Sequence, residues 1–397
     1  MASPARPLLT WTTVVPVVAI VVMVFTFGRE LPVPLVVLVA VVLAGSVLAA
    51  VHHAEVVAHR VGEPFGSLVL AVAVTVIEVA LIVTLTASGG EGAPELARDT
   101  VFAAVMITSN GIVGLSLMVA SVRHGLAVFN AEGTGAALAT VATLSGLTLV
   151  LPTFTTSRPG PEFSPAQLAF AAVASLLLYG AFVLTQTVRH RDFFLPVPVG
   201  AGASGPAGRP VHRTAAGDDA PAAEPGSERE VADRGDDEDD HAPPPTNRAT
   251  LLSLALLLVS LVAVVGLAKV ESPAIESGVA AVGFPQSFVG VVIALLVLAP
   301  ETLAAVRAAR RNRVQISMNL AYGSAMASIG LTIPVIAAAS AWLDGPLNLG
   351  LGPTQLVLLV LTVAVSALTV VPGRATRLQA AVHLTLLAAF VFLAASP

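Results

Sequence analysis

The chain has 397 residues, of which 55% are apolar and only 11% charged, against roughly a quarter charged in ordinary soluble proteins. A soluble globular domain is excluded, and a formal net charge of −5 excludes a basic nucleic-acid binder. The chain contains no cysteine, which removes disulfides, thiolate metal sites and cysteine catalysis.

What remains is an all-α polytopic membrane protein, whose first partner is the lipid bilayer. A hydrocarbon core about 30 Å thick needs roughly 20 apolar residues per helix. In chain order, eleven segments meet that need: 8–27, 31–51, 64–87, 100–122, 135–155, 165–188, 249–268, 283–306, 314–340, 354–371 and 375–395. The runs are too long and too continuous for the ten-residue alternating strands of a membrane barrel. The first has a single arginine, Arg6, before it and no small-residue cleavage site before Arg29, so it reads as a retained helix.

Between the sixth and seventh segments, residues 189–248 are rich in Pro, Gly, Ala and Asp, with no apolar periodicity. This composition predicts a disordered connector. It holds twelve acids and seven arginines, the whole of the net −5. Its run Asp236-Asp237-Glu238-Asp239-Asp240 lacks the glycine and terminal glutamate of a calcium loop and reads as a solvated acidic linker. The organisation predicted is an extra helix (1–30), five helices (31–188), the linker, and five more (249–397). Eleven spans put sixteen arginines on the linker side of the membrane against four basic residues opposite. The positive-inside rule then makes the N-terminus and linker cytoplasmic and the C-terminus external, in a cell (plasma or inner) membrane.

Thirteen acids lie outside the linker, and eleven of them fall at or near predicted helix ends. The exceptions are Glu78 and Glu301, both near the bilayer midplane by helix rise. An ionised carboxylate there costs several kcal/mol, so it must be protonated, paired or facing a polar cavity. No Lys or Arg lies at that depth to pair with either. The surroundings are related: "GEPFGSLVLAVAVTVIEV" (62–79) and "GFPQSFVGVVIALLVLAPET" (283–302) both run from Gly-x-Pro to the glutamate. The helix after each carries mid-depth polar groups, "VMITSNGIVGL" (105–115) and "GSAMASIGL" (323–331). Five spans per half, an odd number, would set two repeats in opposite senses around a midplane site. Pro300 removes a backbone donor beside Glu301 and frees carbonyl oxygens of the kind hard cations prefer.

These segments resemble the calcium/cation antiporter superfamily, and within it the ChaA-type sodium/calcium (potassium)–proton antiporters. The resemblance is carried by "HHAEVVAHRVGEPFGSLVLAVAVTVIEVALI" (52–82), "DTVFAAVMITSNGIVGLSLMV" (99–119), "FNAEGTGAALATVATLSGLTLVLPTF" (129–154) and "LLVLAPETLAAVRAARRNRVQISMNLAYGSAMASIGLTIPVIA" (295–337). It implies a helix bundle that exports calcium, sodium or potassium in exchange for protons by alternating access. Glu78 and Glu301 would bind the cation or protons, with Thr75, Ser109, Asn110, Ser324 and Ser328 as supporting polar groups. Many superfamily members have Gly-Asn-x-x-Glu at each acid; Thr75 and Leu298 replace both asparagines here, which leaves sodium or potassium open as the main cargo. Cargo apart, no cofactor is expected, and no enzyme activity.

The mechanism expected is direct competition, one cation against protons at a carboxylate pair that titrates as a unit. A cation channel is the alternative, although one carboxylate per half suits a single site better than a file of sites. An intramembrane hydrolase is the remote one, since no span holds a nucleophile–base set. His52, His53, Glu55, His59 and Glu63 form a possible cytoplasmic entrance or regulatory cluster, with a short interfacial loop as the simpler reading. Gln315 and Asn319 stand where a cytoplasmic path would run. His383, on an apolar last helix, reads as a packed histidine.

Overall fold

The structure, a computed structural model, describes residues 10–62, 65–87, 92–196, 245–342 and 345–397. Glu63 and linker residues 197–244 therefore lie outside the described residues. Each of the eleven apolar segments is a helix: α1 (Trp11–Thr26), α2 (Val33–Val61), α3 (Phe65–Ala87), α4 (Leu96–His124), α5 (Ala131–Phe154), α6 (Pro165–Arg189), α7 (Asn247–Ala281), α8 (Phe288–Arg310), α9 (Val314–Ala339), α10 (Pro353–Val370) and α11 (Arg377–Ala395). Nine are long and apolar enough to cross a membrane by length and composition among the described residues. The shorter α1 has 16 residues.

Local chemistry sets the ends. Asn130 opens α5 by accepting from the Glu132 and Gly133 amides, and Ser164 opens α6 in a capping box with Gln167, followed by Pro165. Such side-chain oxygens satisfy amides that have no partner within the helix. Gly62 and Gly283, at φ +77° and +81°, follow the ends of α2 and α7, a conformation that costs a residue with a Cβ far more.

Two helices outrun their apolar segments by several turns. α2 continues through the His-rich stretch to Val61, burying Ala50, His53, Ala54 and Val57 while His52, Glu55 and His59 are exposed. That is one face of a helix, not the short loop that the charges suggested. α7 continues to Ala281 through Pro273, with Glu271 and Ser272 buried. Glu55, Glu271 and Glu276, expected at helix ends, therefore lie inside helices.

Among the described residues three helices carry π-helical turns: α4 at Ile107–Ile112, α5 at Gly146–Val150 and α6 at Thr185–Arg189. The all-α architecture is interrupted among the described residues by an isolated bridge, Glu162 with Asn348, and by a two-stranded antiparallel pair, β1 (Ala127–Val128) with β2 (Arg374–Ala375), joining the α4–α5 and α10–α11 connections.

The helices bury two apolar cores. One gathers α1, α2, α7 and faces of α3 and α8 (Ile77, Leu81, Val289, Ile293, Val297). The other gathers α4–α6, α9–α11 and the opposite face of α8 (Val291, Ala294, Leu298, Ala305). α9 packs against α3, α4, α5, α6 and α8. Glycines permit the closest approaches. A methyl on Gly290 of α8 would lie 2.8 Å from the Asp99 carbonyl carbon and Thr100 nitrogen of α4. One on Gly330 of α9 would lie 2.8 Å from Tyr179 Cβ of α6.

Candidate functional site: a two-glutamate cavity

Glu78 and Glu301 occupy equivalent places, each the fourteenth residue of a 23-residue helix, α3 and α8. Both are buried, at 4% and 8% exposure. They line one cavity of about 780 Å³ between α3, α6, α8 and α9. Ser328 of α9 crosses it, its hydroxyl donating to Glu78 Oε1 at 2.5 Å. Glu301 lines the same cavity, and its Oε2 is buried without a hydrogen-bond partner. Among the described residues no group of three or more acids or histidines is placed to hold a metal ion. What the cavity offers is two carboxylates with side-chain hydroxyls and amides, a donor set suited to a hard cation or to protons.

Thr75, Ser324 and Ser328 line the same cavity. Ser109 and Asn110 do not line it, although both are buried. They sit in the π-helical turn of α4, and Asn110 turns toward α10 and α11. Its amide donates to Thr362 Oγ1 (2.9 Å), and its Oδ1 lies 3.2 Å from His383 Nδ1. An amide oxygen only accepts, so Nδ1 carries the proton; Nε2 contacts Thr369 Oγ1 at 3.1 Å. His383 is fully buried, a packed histidine as the sequence suggested, with a polar network that the sequence did not reveal.

The proposed entrance cluster is divided. His53 is buried, with Nε2 donating to the Thr12 carbonyl of α1 at 2.9 Å, so it ties two helices together. His52, Glu55 and His59 are exposed on the other face of α2. None of the four lines the cavity.

The cavity runs toward the end of the bundle from which the linker leaves. Gln186, Thr187 and Arg191 line it from α6 and the turn after it, and Arg313 and Asn319 line it from the start of α9. Gln315 is behind Asn319, bonded to it at 2.9 Å. By composition residues 191–196 belong to the linker; Phe194, Leu195 and Pro196 instead form part of the cavity wall. The signal for this is present in "RDFFLP" (191–196), an apolar cluster directly after a charged one.

The sodium/calcium exchanger protein family model matches residues 31–188 and 252–395. The chain is 43% identical over 393 residues to y4hA of Sinorhizobium fredii, provisionally named an ionic transporter, covering 98% of this chain and 96% of that one. It is 32% identical over 380 residues to the sodium-potassium/proton antiporter ChaA of Escherichia coli, covering 95% and 93%. Among solved structures, the H+/Ca2+ exchanger CAX superposes with a TM-score of 0.64 at 16% identity, covering 96% of this chain and 91% of that one. At that identity the likeness concerns the fold.

Proposed function

We propose a function from the premise that this chain belongs to the sodium/calcium exchanger protein family: it expels calcium, sodium or potassium from the cytoplasm in exchange for external protons. The chain is thus an ion-exchanging membrane protein, and its relatives are transporters, not enzymes. One observation carries the finer reading: a buried glutamate from each half of the chain lines a single cavity, with the Ser328 hydroxyl on one of them. The 32% identity to a sodium-potassium/proton antiporter, together with Thr75 and Leu298 where superfamily members carry asparagine, favours monovalent cargo beside calcium.

In this mechanism a cation enters from the linker side and is held by Glu78, Glu301 and nearby oxygens. Protons and the cation compete for the same carboxylates, so filling the site with one expels the other and no separate relay is needed. Five helices precede the linker after α1 and five come after it; the odd number sets the halves in opposite senses, with the site between them. Closing the cavity on the linker side and opening it on the other delivers the cation outside.

Inverted membrane vesicles holding a proton gradient test the proposal, with calcium, sodium or potassium added separately and the collapse of the gradient followed by fluorescence. At least one cation is expected to collapse it in the native protein, and Glu78→Gln or Glu301→Gln to abolish the response. Exchange at native speed in the double Gln variant would refute the carboxylate mechanism. A cation flux that needs no opposing protons would mark a channel.

A further inference from the structure

The chain leaving α6 does not go directly into the linker. It makes one 3-10 turn, Arg191–Phe194, and lies back across the linker end of the cavity. Three contacts seat it. A methyl on Gly133 of α5 would overlap the Phe193 carbonyl oxygen, so the strap backbone rests in a notch that only glycine leaves open. Phe194 is buried and meets Phe182 of α6 edge-on, ring centroids 5.6 Å apart. Asn319 of α9 donates from Nδ2 to the Phe194 carbonyl at 2.7 Å.

That last bond is set by a chain of directional partners. The Asn130 amide donates to Gln315 Oε1 (2.6 Å), Gln315 Nε2 donates to Asn319 Oδ1 (2.9 Å), and Asn319 Nδ2 is left to face Phe194. Because a backbone N–H only donates, it fixes the orientation of both amides in turn. The latch is therefore pre-oriented from α5 through α9.

On the cavity side the strap presents the apolar Phe194, Leu195 and Pro196 after Arg191, and the polar side chains of Gln186, Thr187 and Asn319 line the same end. A hydrated cation crosses a polar wall readily, whereas an apolar constriction excludes its water. We propose that residues 191–196 are the linker-side gate of the ion cavity, and that Asn319 is the positioning residue that latches Phe194 in place. The gate's role in transport rests on the exchanger reading above; its effect on access does not. When the strap lifts, the Asn319 amide exchanges the Phe194 carbonyl for water and joins the polar wall. Holding the strap closed and lining an open path thus become alternating tasks of one side chain.

The chain contains no cysteine, so a single reporter thiol can be read without background. Ala327→Cys places one on the cavity wall next to Ser328. Its rate of modification by a membrane-impermeant thiol reagent is compared in vesicles of both orientations, on the parent, Asn319→Ala and Phe194→Ala backgrounds. Loss of a hydrogen bond of typical net strength corresponds to about a fivefold change in a two-state population. Both variants are expected to label faster than the parent, by more than about twofold, from the linker face and to change by less than that from the opposite face. Any other outcome overturns the gate: an unchanged rate, because the strap then obstructs nothing, or an equal rise from both faces, because the substitution has loosened the bundle. Labelling needs no exchange, so a gate that opens as expected in a protein that moves no ions would sink the exchanger mechanism and leave the gate standing.

Discussion

Replacing Ser328 by alanine removes the hydroxyl that donates to Glu78 Oε1 at 2.5 Å and leaves the carboxylate in place. A hydrogen bond to an ionised group contributes about 1.5–3 kcal/mol, and one to a neutral group about 1 kcal/mol. The difference, about 0.5–2 kcal/mol, is what the hydroxyl adds to the ionised form over the protonated one. In the proposed mechanism cation binding needs the ionised form, so the loss should appear as weaker binding. At about 1.4 kcal/mol per factor of ten, the half-saturating cation concentration should rise roughly 2- to 30-fold. The maximum rate should change little, because a high cation concentration still fills the site. The assay is the initial rate of exchange in proteoliposomes at fixed pH over a range of cation concentrations, with Ser328→Thr as the variant that retains a hydroxyl. A half-saturation for Ser328→Ala indistinguishable from native would refute the claim that this hydroxyl supports the ion-binding carboxylate.

Further outcomes rest on the same geometry. If protons and cation compete at Glu78 and Glu301, acidifying the cation-loading side should raise the half-saturating cation concentration, and saturating cation should restore the rate; loss of maximum rate alone would point to a proton site elsewhere. Gly290→Ala drives a methyl against Asp99 and Thr100 backbone atoms, which cannot rotate away, and overpacking of this kind costs about 1–3 kcal/mol. Gly278→Ala, an exposed helical position with nothing within 4 Å, should instead be neutral or stabilising by up to about 1 kcal/mol. Thermal unfolding in detergent orders the two. His383→Phe leaves the Asn110 carbonyl without its donor and should lower stability by about 1–2 kcal/mol, read in the same melts.

The helices are legible in the sequence because apolar length is a direct consequence of bilayer thickness, and Glu78 and Glu301 because a charge at mid-depth has few physical explanations. Their presence on one cavity wall comes from α3 and α8 both facing α9, a packing relation that a linear reading anticipates only through the related motifs. The ends of α2 and α7 escape such a reading for a definite reason. A hydropathy window stops at His52 or Lys269, whereas the helix stops only where the backbone does, at Gly62 and near Gly283. Its mid-depth position and the family resemblance assign Asn110 to the site. The π-helical turn at Ile107–Ile112 inserts an extra residue per turn and so rotates the neighbouring positions around the helix axis; Asn110 faces His383. Phe194 and Asn319 meet through a chain reversal that no periodicity records.

The paired cores have a mechanical corollary. Each is a continuous body of interlocked side chains, stiff against internal rearrangement; α8 contributes to both through opposite faces, and α3 lines the first and touches the second through Ile82. Shear between two such bodies disturbs only the contacts along their seam, while a shift within either would open voids throughout it. The two acidic side chains stand on the helices of that seam. A small slip there would alter the surroundings of both at once; under the proposed exchange, a modest sliding movement would then suffice to change the occupant without unpacking either core.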